Sequence, residues 1–454
     1  MRTWRAWFGI GLLPLTLAAC STPVFTPRTL AGMETHRISE PVFNGHANVY
    51  EAGREHPRSI VLVHGIGDGP VDFAEHIGWL SRSYHVIAFD LPGFGQSDKT
   101  NALYSPGNYA AFVKYVAERF VRRPFVLLGH SMGGVIAMRY AALHPADVTR
   151  LVVVDTPGVL HRYVVASQAL GRIGFDFLPS FMDPLERFAQ IANKVLRRIE
   201  TTTFDPHVVL NDPSKRDTYL GGDPSRIASM ALAMEDLSRA LPTLPMETLV
   251  IWGRNDTIAP VRTGRMLARV IPRARLVELE RAAHVPMLET PAPFRAALEK
   301  FLVDGIVPVR SHTVPMRYGE IRCLERQHVV YEGDYDKLTL NDCRDVRIRG
   351  ARVRELNLSN STVMIDDSHI GGGAVGMHAH DTTVVMTNGR IEGDVAISGN
   401  DSRFDLAGVE IDARQHILQA QESSYVVFSA SRVKSPNWTG VAHSYFLVTR
   451  DKPL

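Results

Sequence analysis

Cysteine is scarce in this chain: three occur among 454 residues, at positions 20, 323 and 343. No zinc pattern such as H-E-x-x-H occurs, which argues against metal-assisted hydrolysis, and no metal or cofactor is expected. An excess of charge of either sign is also missing. The 50 Lys and Arg against 48 Asp and Glu leave a net charge of +2, so no nucleic-acid partner is expected. Low-complexity tracts are lacking, since the 27 prolines and 35 glycines are spread along the chain. Long apolar runs are lacking too. The candidate at residues 6–17 is short and broken by Pro14, so it does not read as a permanent bilayer span. What remains is the composition of a soluble globular protein, 45% hydrophobic and 22% charged. Its length exceeds one ordinary core, and two or three domains are expected.

Residues 1–20 read as a leader rather than as part of the fold. A basic start, Met1-Arg2-Thr3-Trp4-Arg5, precedes the apolar stretch, which ends Leu17-Ala18-Ala19-Cys20. This resembles a bacterial lipoprotein signal. The resemblance implies lipidation of Cys20 and attachment to a membrane of the cell envelope. Ser21, where an inner-membrane retention signal would place Asp, implies the outer membrane, facing the periplasm. Residues 21–35 would then be a tether reaching up to about 45 Å.

The chain is organised around Gly129-His130-Ser131-Met132-Gly133. The apolar run Phe125-Val126-Leu127-Leu128 before it reads as a buried strand, and residues 134–142 after it read as a helix. A strand that turns abruptly into a helix needs glycines around the turning residue, which is held in a strained geometry. Ser131 is thereby pushed out at the carboxyl end of a sheet, above a helix N-terminus that favours developing negative charge.

Strand and helix alternate on both sides of this point. Two edge strands meet at an Asn44-Gly45 turn, and Ser59-Ile60-Val61-Leu62-Val63 is a continuous apolar strand. It runs into His64-Gly65-Ile66-Gly67-Asp68-Gly69, then a helix over about 71–82, a strand over 84–89 and a helix near 109–121. Residues 151–154 form a further strand. The rhythm breaks over about 158–245, where helix-like segments at 159–170 and 186–200 read as a cap over the active site. Strand 248–252, helix 261–270, strand 274–279 and a helix near 293–302 resume it. The expected fold class is α/β, a mostly parallel sheet with a helical cap.

Four motifs stand in the order of the α/β-hydrolase superfamily, and residues 36–303 resemble its cap-bearing carboxylesterases and related carbon–carbon bond hydrolases. They are the His-Gly loop at 64–69, the elbow at 129–133, the loop Gly253-Arg254-Asn255-Asp256-Thr257-Ile258-Ala259-Pro260, and His284. The resemblance implies Ser131 as nucleophile, His284 as general base and Asp256 as the acid that orients it. It implies backbone N–H groups of Ile66 and Met132 as the oxyanion hole. Asp155, ending the strand after the elbow helix, is a rival for the acid. Asp90, Gly93, Gly95, Ser97, His64 and His130 read as structural. Serine at position 131 sets aside epoxide hydrolases and haloalkane dehalogenases of this fold, which use a carboxylate there.

After a linker over 304–317, helical periodicity vanishes. Residues 318–454 carry short alternating runs punctuated by Gly, Asn, Asp and Ser, and matching runs return every 17 to 22 residues or so. Leu356, Val375, Val395 and Ile417 form one series. Val363, Val384, Phe404 and Val426 form a second, and Ile370, Ile391, Val409 and Val433 a third. Three strands per repeat, stacked, predict a C-terminal all-β domain of the parallel β-helix type, with an antiparallel sandwich as its rival. Cys323 and Cys343, one repeat apart, lie within disulfide reach if they occupy equivalent positions on adjacent coils; two buried thiols are the alternative. His378 and His380 share a strand face and read as solvated. A glycan or protein partner along the stack is an open expectation.

The expected activity is cleavage of a small or lipid-like carboxylic ester through an acyl-enzyme. The alternatives are carbon–carbon bond cleavage in the same fold, or a surface binding protein with a vestigial hydrolase half.

Overall fold

The computed structural model of the protein describes residues 30, 32–67, 69–162, 164, 205–306 and 317–454. Cys20, nearly all of the expected tether, the predicted helix at 186–200 and most of that at 159–170 lie outside the described residues.

An eight-stranded sheet forms the first half. Its strands are β1 (Glu34–Glu40), β2 (Gly45–Ala52), β3 (Ser59–Val63), β4 (His85–Phe89), β5 (Phe125–His130), β6 (Val148–Val154), β7 (Glu247–Gly253) and β8 (Ala274–Leu279), in the order β1-β2-β4-β3-β5-β6-β7-β8. β1 and β2 pair antiparallel, β2 pairs antiparallel with β4, and every later pairing is parallel. Strand order reverses around β3, which opens a crevice at the carboxyl ends of β3 and β5. Every residue of β3, β4 and β5 is buried, because helices cover both faces and leave no side to alternate towards water.

One face packs under α1 (Ala74–Leu80), with Ile77 and Leu80 against β3, β4 and β5. The other carries α2 (Pro106–Phe120) and α3 (Met132–Leu143). The predicted helix over 71–82 is shorter than expected, a 3-10 turn at Pro70–Phe73 followed by α1. α2 begins three residues before its predicted start, because Ser105 caps it by accepting the Asn108 N–H and Pro106 supplies a preset first turn.

Within the segment expected to form a cap, the described helices are α4 (Pro206–Asn211), α5 (Pro213–Leu220) and α6 (Pro224–Ala233). Each follows an Asp-Pro pair. Asp205, Asp212 and Asp223 each accept a backbone N–H of the first turn, so three short helices arise where apolar periodicity was too brief to reveal them. The sheet unit closes with α7 (Val261–Val270), α8 (Pro286–Glu289) and α9 (Pro291–Asp304).

From Arg317 onward the described chain is all strand and turn, in a nine-stranded and a seven-stranded sheet. Strands of successive repeats pair in parallel. Val363, Val384, Phe404 and Val426 are in register, which is the second predicted series. The other two series need correction. Leu356 pairs with Met377, then Ile397 and Leu418, rather than with Val375. Ile391 pairs with Ile411 rather than Val409. The break between strands His369–Gly371 and Val375–His380 displaces Val375 from Leu356 by two residues, and a one-residue register shift at Gly393/Val395 puts His416 rather than Ile417 opposite Val395. A slide of two residues preserves which face is apolar, so pattern alone does not detect it. The three predicted strands per repeat also merge into two, since Arg390–Asn400 and Glu410–Ala420 run unbroken.

Asp342, Asn360, Asp381 and Asp401 take φ of 43 to 55° at corresponding corners, a conformation that Asn and Asp tolerate better than other side chains. Beside this corner runs a hydroxyl ladder. The N–H groups of Cys343, Ser361, Thr382 and Ser402 donate to Ser361, Thr382, Ser402 and Ser424 respectively. Cys343 holds the ladder's first place, and its sulfur is bonded to Cys323. These cysteines are not equivalent on adjacent coils, because Cys323 pairs with Leu340. The outer face of the seven-stranded sheet lies on α7: Arg262 pairs with Asp405, Asn388 donates to the Arg265 carbonyl at 3.1 Å, and Ala407, Val427 and Ala430 join the hydrophobic cluster of the first half.

Replacing both Cys323 and Cys343 by Ser should lower the stability of the first coil by about 2–4 kcal/mol. The measurement is denaturant unfolding followed by strand circular dichroism, with and without reductant for the parent protein. Only the parent should respond to reductant.

Candidate functional site

β5 passes into α3 through a single residue, Ser131, whose φ of 53° and ψ of −125° belong to neither element. Such a conformation costs about 1–3 kcal/mol and persists only where its surroundings over-determine it. Here they do. The Ser131 N–H donates to the Val154 carbonyl on β6 at 2.9 Å, and the Gly134 N–H returns to the Ser131 carbonyl at 2.9 Å. A Cβ on Gly129 would lie 2.1 Å from the Gly133 carbonyl oxygen, so the chain can double back only with glycine there. The loop after β3 lies against the serine, since a Cβ on Gly65 would meet the Ser131 Cβ at 2.8 Å.

His284 stands in the loop between β8 and α8. Its Nε2 is 3.1 Å from the Ser131 Oγ and its Nδ1 is 2.8 Å from the Asp256 Oδ2. Asp256 follows β7 and its carboxylate is wholly enclosed. The other oxygen accepts the N–H groups of Ile258 at 2.7 Å and Ala259 at 3.0 Å. Burial opposes ionisation of Asp256, but the His284 imidazole and these two amides outweigh it and hold the carboxyl below its ordinary range. An acceptor at Nδ1 keeps the ring proton there and leaves Nε2 free to face the hydroxyl. Asp155 does not face the imidazole; its Oδ1 accepts the Gly253 N–H at 2.8 Å.

Two residues outside the expected set hold His284 in place. His130, expected only to pack, donates from Nε2 to the His284 carbonyl at 2.7 Å. Glu289 on α8 accepts the N–H groups of Ala283 and Val285, bracketing the histidine. Nothing in the local sequence pattern marks it. His64 accepts the Leu91 N–H at Nε2 and bonds the Gly65 carbonyl from Nδ1, which shapes the loop before Ile66. Burial lowers the pKa of both His64 and His130 to about 4, so each is neutral at pH 7. Asp90 accepts the Tyr50 hydroxyl and the Gln96 N–H, a structural role as read from the sequence. Met132 opens α3, so its N–H has no partner within the helix. Ile66 is 40% exposed beside Gly65.

Glu34, His36 and Glu51 bring one ligand atom each within 4.8 Å of one another. Glu51 already accepts His36 at 2.9 Å and His85 at 2.7 Å, beside Arg54 at 3.2 Å. Because His85 starts β4 whereas Ser131 follows the end of β5, this network lies at the opposite edge of the sheet.

A parallel sheet with a serine elbow and a His–Asp pair at its carboxyl edge defines the class. The chain belongs to the alpha/beta hydrolase family, whose model matches residues 60–297. It is 30% identical over 272 residues to an uncharacterized protein of Mycobacterium tuberculosis, covering 57% of this chain and 79% of that one. It is 28% identical to the 2-hydroxymuconate semialdehyde hydrolase of Pseudomonas sp. strain CF600, covering 57% and 90%. With a pimeloyl-[acyl-carrier protein] methyl ester esterase of Neisseria meningitidis it shares 29% identity over 55% and 94%. A solved putative lipase of Acinetobacter baumannii AYE matches at 23% identity, 61% and 93% coverage and a TM-score of 0.46. The expected α/β-hydrolase fold and all-β second domain therefore stand, and the chain has hydrolase relatives.

The neutral imidazoles carry a pH signature. An unfolded histidine takes a proton near 6.5, whereas His64 and His130 resist until about 4. The unfolded chain therefore binds more protons between those values, and stability present above pH 6.5 is lost as pH falls towards 4. Thermal unfolding scanned across this window should show a falling midpoint, and His130→Asn should flatten the dependence.

Proposed function

We propose that the protein is a serine hydrolase that cleaves a carboxylic ester through an acyl-enzyme. The observation that carries this reading is the unbroken contact from Ser131 Oγ through the His284 imidazole to Asp256. Ser131 is the nucleophile. As Oγ attacks the ester carbonyl, its proton passes to His284 Nε2, and the imidazolium is stabilised by the Asp256 carboxylate. The oxyanion is received by the N–H groups of Ile66 and Met132; loss of one such donor costs about 3 kcal/mol in related chemistry. The alkoxide leaves with the proton from Nε2, and water then releases the acyl group by the same steps in reverse.

The esterase relative supports this reading. The relative named for 2-hydroxymuconate semialdehyde supports a second, in which the same serine site cleaves a carbon–carbon bond beside a carbonyl. The cap would choose the acyl or alcohol part. We read Cys20 as the lipid-bearing residue that attaches the protein to the cell envelope, at the outer membrane facing the periplasm. The stacked strands we read as a parallel β-helix, whose outward face is offered to a glycan or protein. Among the described residues no helix is long and apolar enough to cross a membrane.

Short-chain nitrophenyl esters should be turned over by the parent protein, and Ser131→Ala should lower kcat by about 10³-fold or more with little change in thermal midpoint. Asp256→Asn should lower it by a factor on the order of 10⁴. Turnover that survives Ser131→Ala would overturn the assignment, while cleavage of a vinylogous diketone but no ester would favour the second reading.

A further inference from the structure

Asp155 is a buried carboxyl for which the reaction above has no task. It directly follows β6 with φ of 42° and is 0% exposed. Its N–H reaches the Ile251 carbonyl at 3.2 Å, and its Oδ1 accepts the Gly253 N–H at 2.8 Å. Gly253 ends β7 and begins the turn that carries Asp256, whose own N–H returns to the Gly253 carbonyl at 3.1 Å. Asp155 is therefore tied to the turn that holds the partner of His284. Its Oδ2 is buried and receives no donor among the described residues, and the neighbouring Asp256 carboxyl raises the Asp155 pKa both by its charge and as a hydrogen-bond acceptor for the protonated form. An ionised carboxylate left with an unpaired oxygen in such a place is penalised far more heavily than the neutral acid.

The charged neighbours sharpen the point. Those acting on Asp155 are Asp256 from the turn after β7 and Glu289 from α8, both acidic, and the nearby imidazoles of His130 and His284 act on Asp256. Asp256 collects three donors, from Ile258, Ala259 and His284; Asp155 collects one. Two adjoining buried carboxyls share a single favourable charge, which goes to the better-solvated partner.

We propose that Asp155 is a positioning residue: a carboxylic acid that stays protonated at neutral pH, anchors the Gly253 turn and leaves Asp256 as the sole carboxylate serving His284. The positioning half of this rests on the reaction proposed above; the protonation half does not. Burial, with the Asp256 charge adding to it against the Gly253 amide, pushes the Asp155 pKa from 3.8 up to about 10. Between those values the folded protein keeps a proton that the unfolded chain releases, so this group's contribution to stability falls as pH rises across the window.

Thermal unfolding of the full chain is compared with Asp155→Asn from about pH 5 to about pH 9. Asn cannot ionise, so the midpoint of the variant minus that of the parent should grow steadily with pH. A group with only a packing role shifts the midpoint by the same amount at every pH. Infrared difference spectra at pH 7 should also show a protonated-carboxyl stretch in the parent that is missing from the variant. Should Asp155→Asn not fold, Asp256→Asn supplies the second arm, because removing the neighbouring charge should move loss of that stretch to lower pH. On the activity side, the alkaline limb of kcat/KM should extend to higher pH in Asp155→Asn. A pH-independent midpoint difference together with no protonated-carboxyl band would overturn the proposal. Absence of ester turnover in the parent would instead count against the reaction, and would leave the stability and infrared results to decide the proton.

Discussion

A strand in the middle of the sheet must become a helix within one residue, and Ser131 bears that constraint. Its backbone lies in a sparsely populated region, which the protein tolerates because the neighbouring strand accepts its N–H and the glycines on either side let the chain close on itself. The same tightness raises the hydroxyl above the carboxyl ends of the strands. β3 and β6 flank β5, so the loops leaving β3, β6 and β7 open onto the same edge. Loosen the elbow and the loop around Ile66, the Asp256 turn and His284 lose the point on which they converge.

The surroundings decide which groups carry charge. Asp256 is enclosed yet ionised, because two amides and an imidazole are aimed at it. His64 and His130 are enclosed with no carboxylate of their own, and remain neutral. Their value lies in fixed tautomers. His64 accepts at Nε2 and so carries its proton on Nδ1 towards Gly65, while His130 donates from Nε2 to the backbone of His284. Both orient neighbours of the reacting groups rather than join them, the outer-layer support that precise sites require.

The second domain follows a different logic, with repetition replacing a single strained point. Apolar residues of successive turns stack at equal heights, and hydroxyls at one corner satisfy the amide of the preceding turn. Burial of such a polar ladder is tolerable only because each member is paired. This stack is no separate bead. Arg262 on α7 reaches Asp405, and the His161 N–H, at the entrance to the cap, donates to Ser429. The residues that follow β6 therefore link the eight-stranded sheet directly to the strand stack.

Much of the sheet was legible from residues alone, since strands buried on both faces appear as uninterrupted apolar runs and a serine elbow demands its glycines. The cap helices α4 to α6 escaped notice because they are too short for periodicity to declare itself; their Asp-Pro starts were the readable mark. Register in the strand stack slipped by two residues at Leu356 and Ile391, since alternation is unchanged by such a slide, and by one at Val395, where the chain itself shifts register. Glu289 and the anchoring part played by His130 left no trace in local pattern. The sequence by itself determined most of the sheet strands and singled out Ser131, His284 and Asp256 as the candidate residues. Only the tertiary structure decided that Ser131 and His284, 153 residues apart, meet at 3.1 Å, and that Asp256 rather than Asp155 faces the imidazole. Contacts at that distance along the chain depend on how strands are ordered in the sheet, and charge depends on what surrounds a carboxyl once it is buried; neither is a local property.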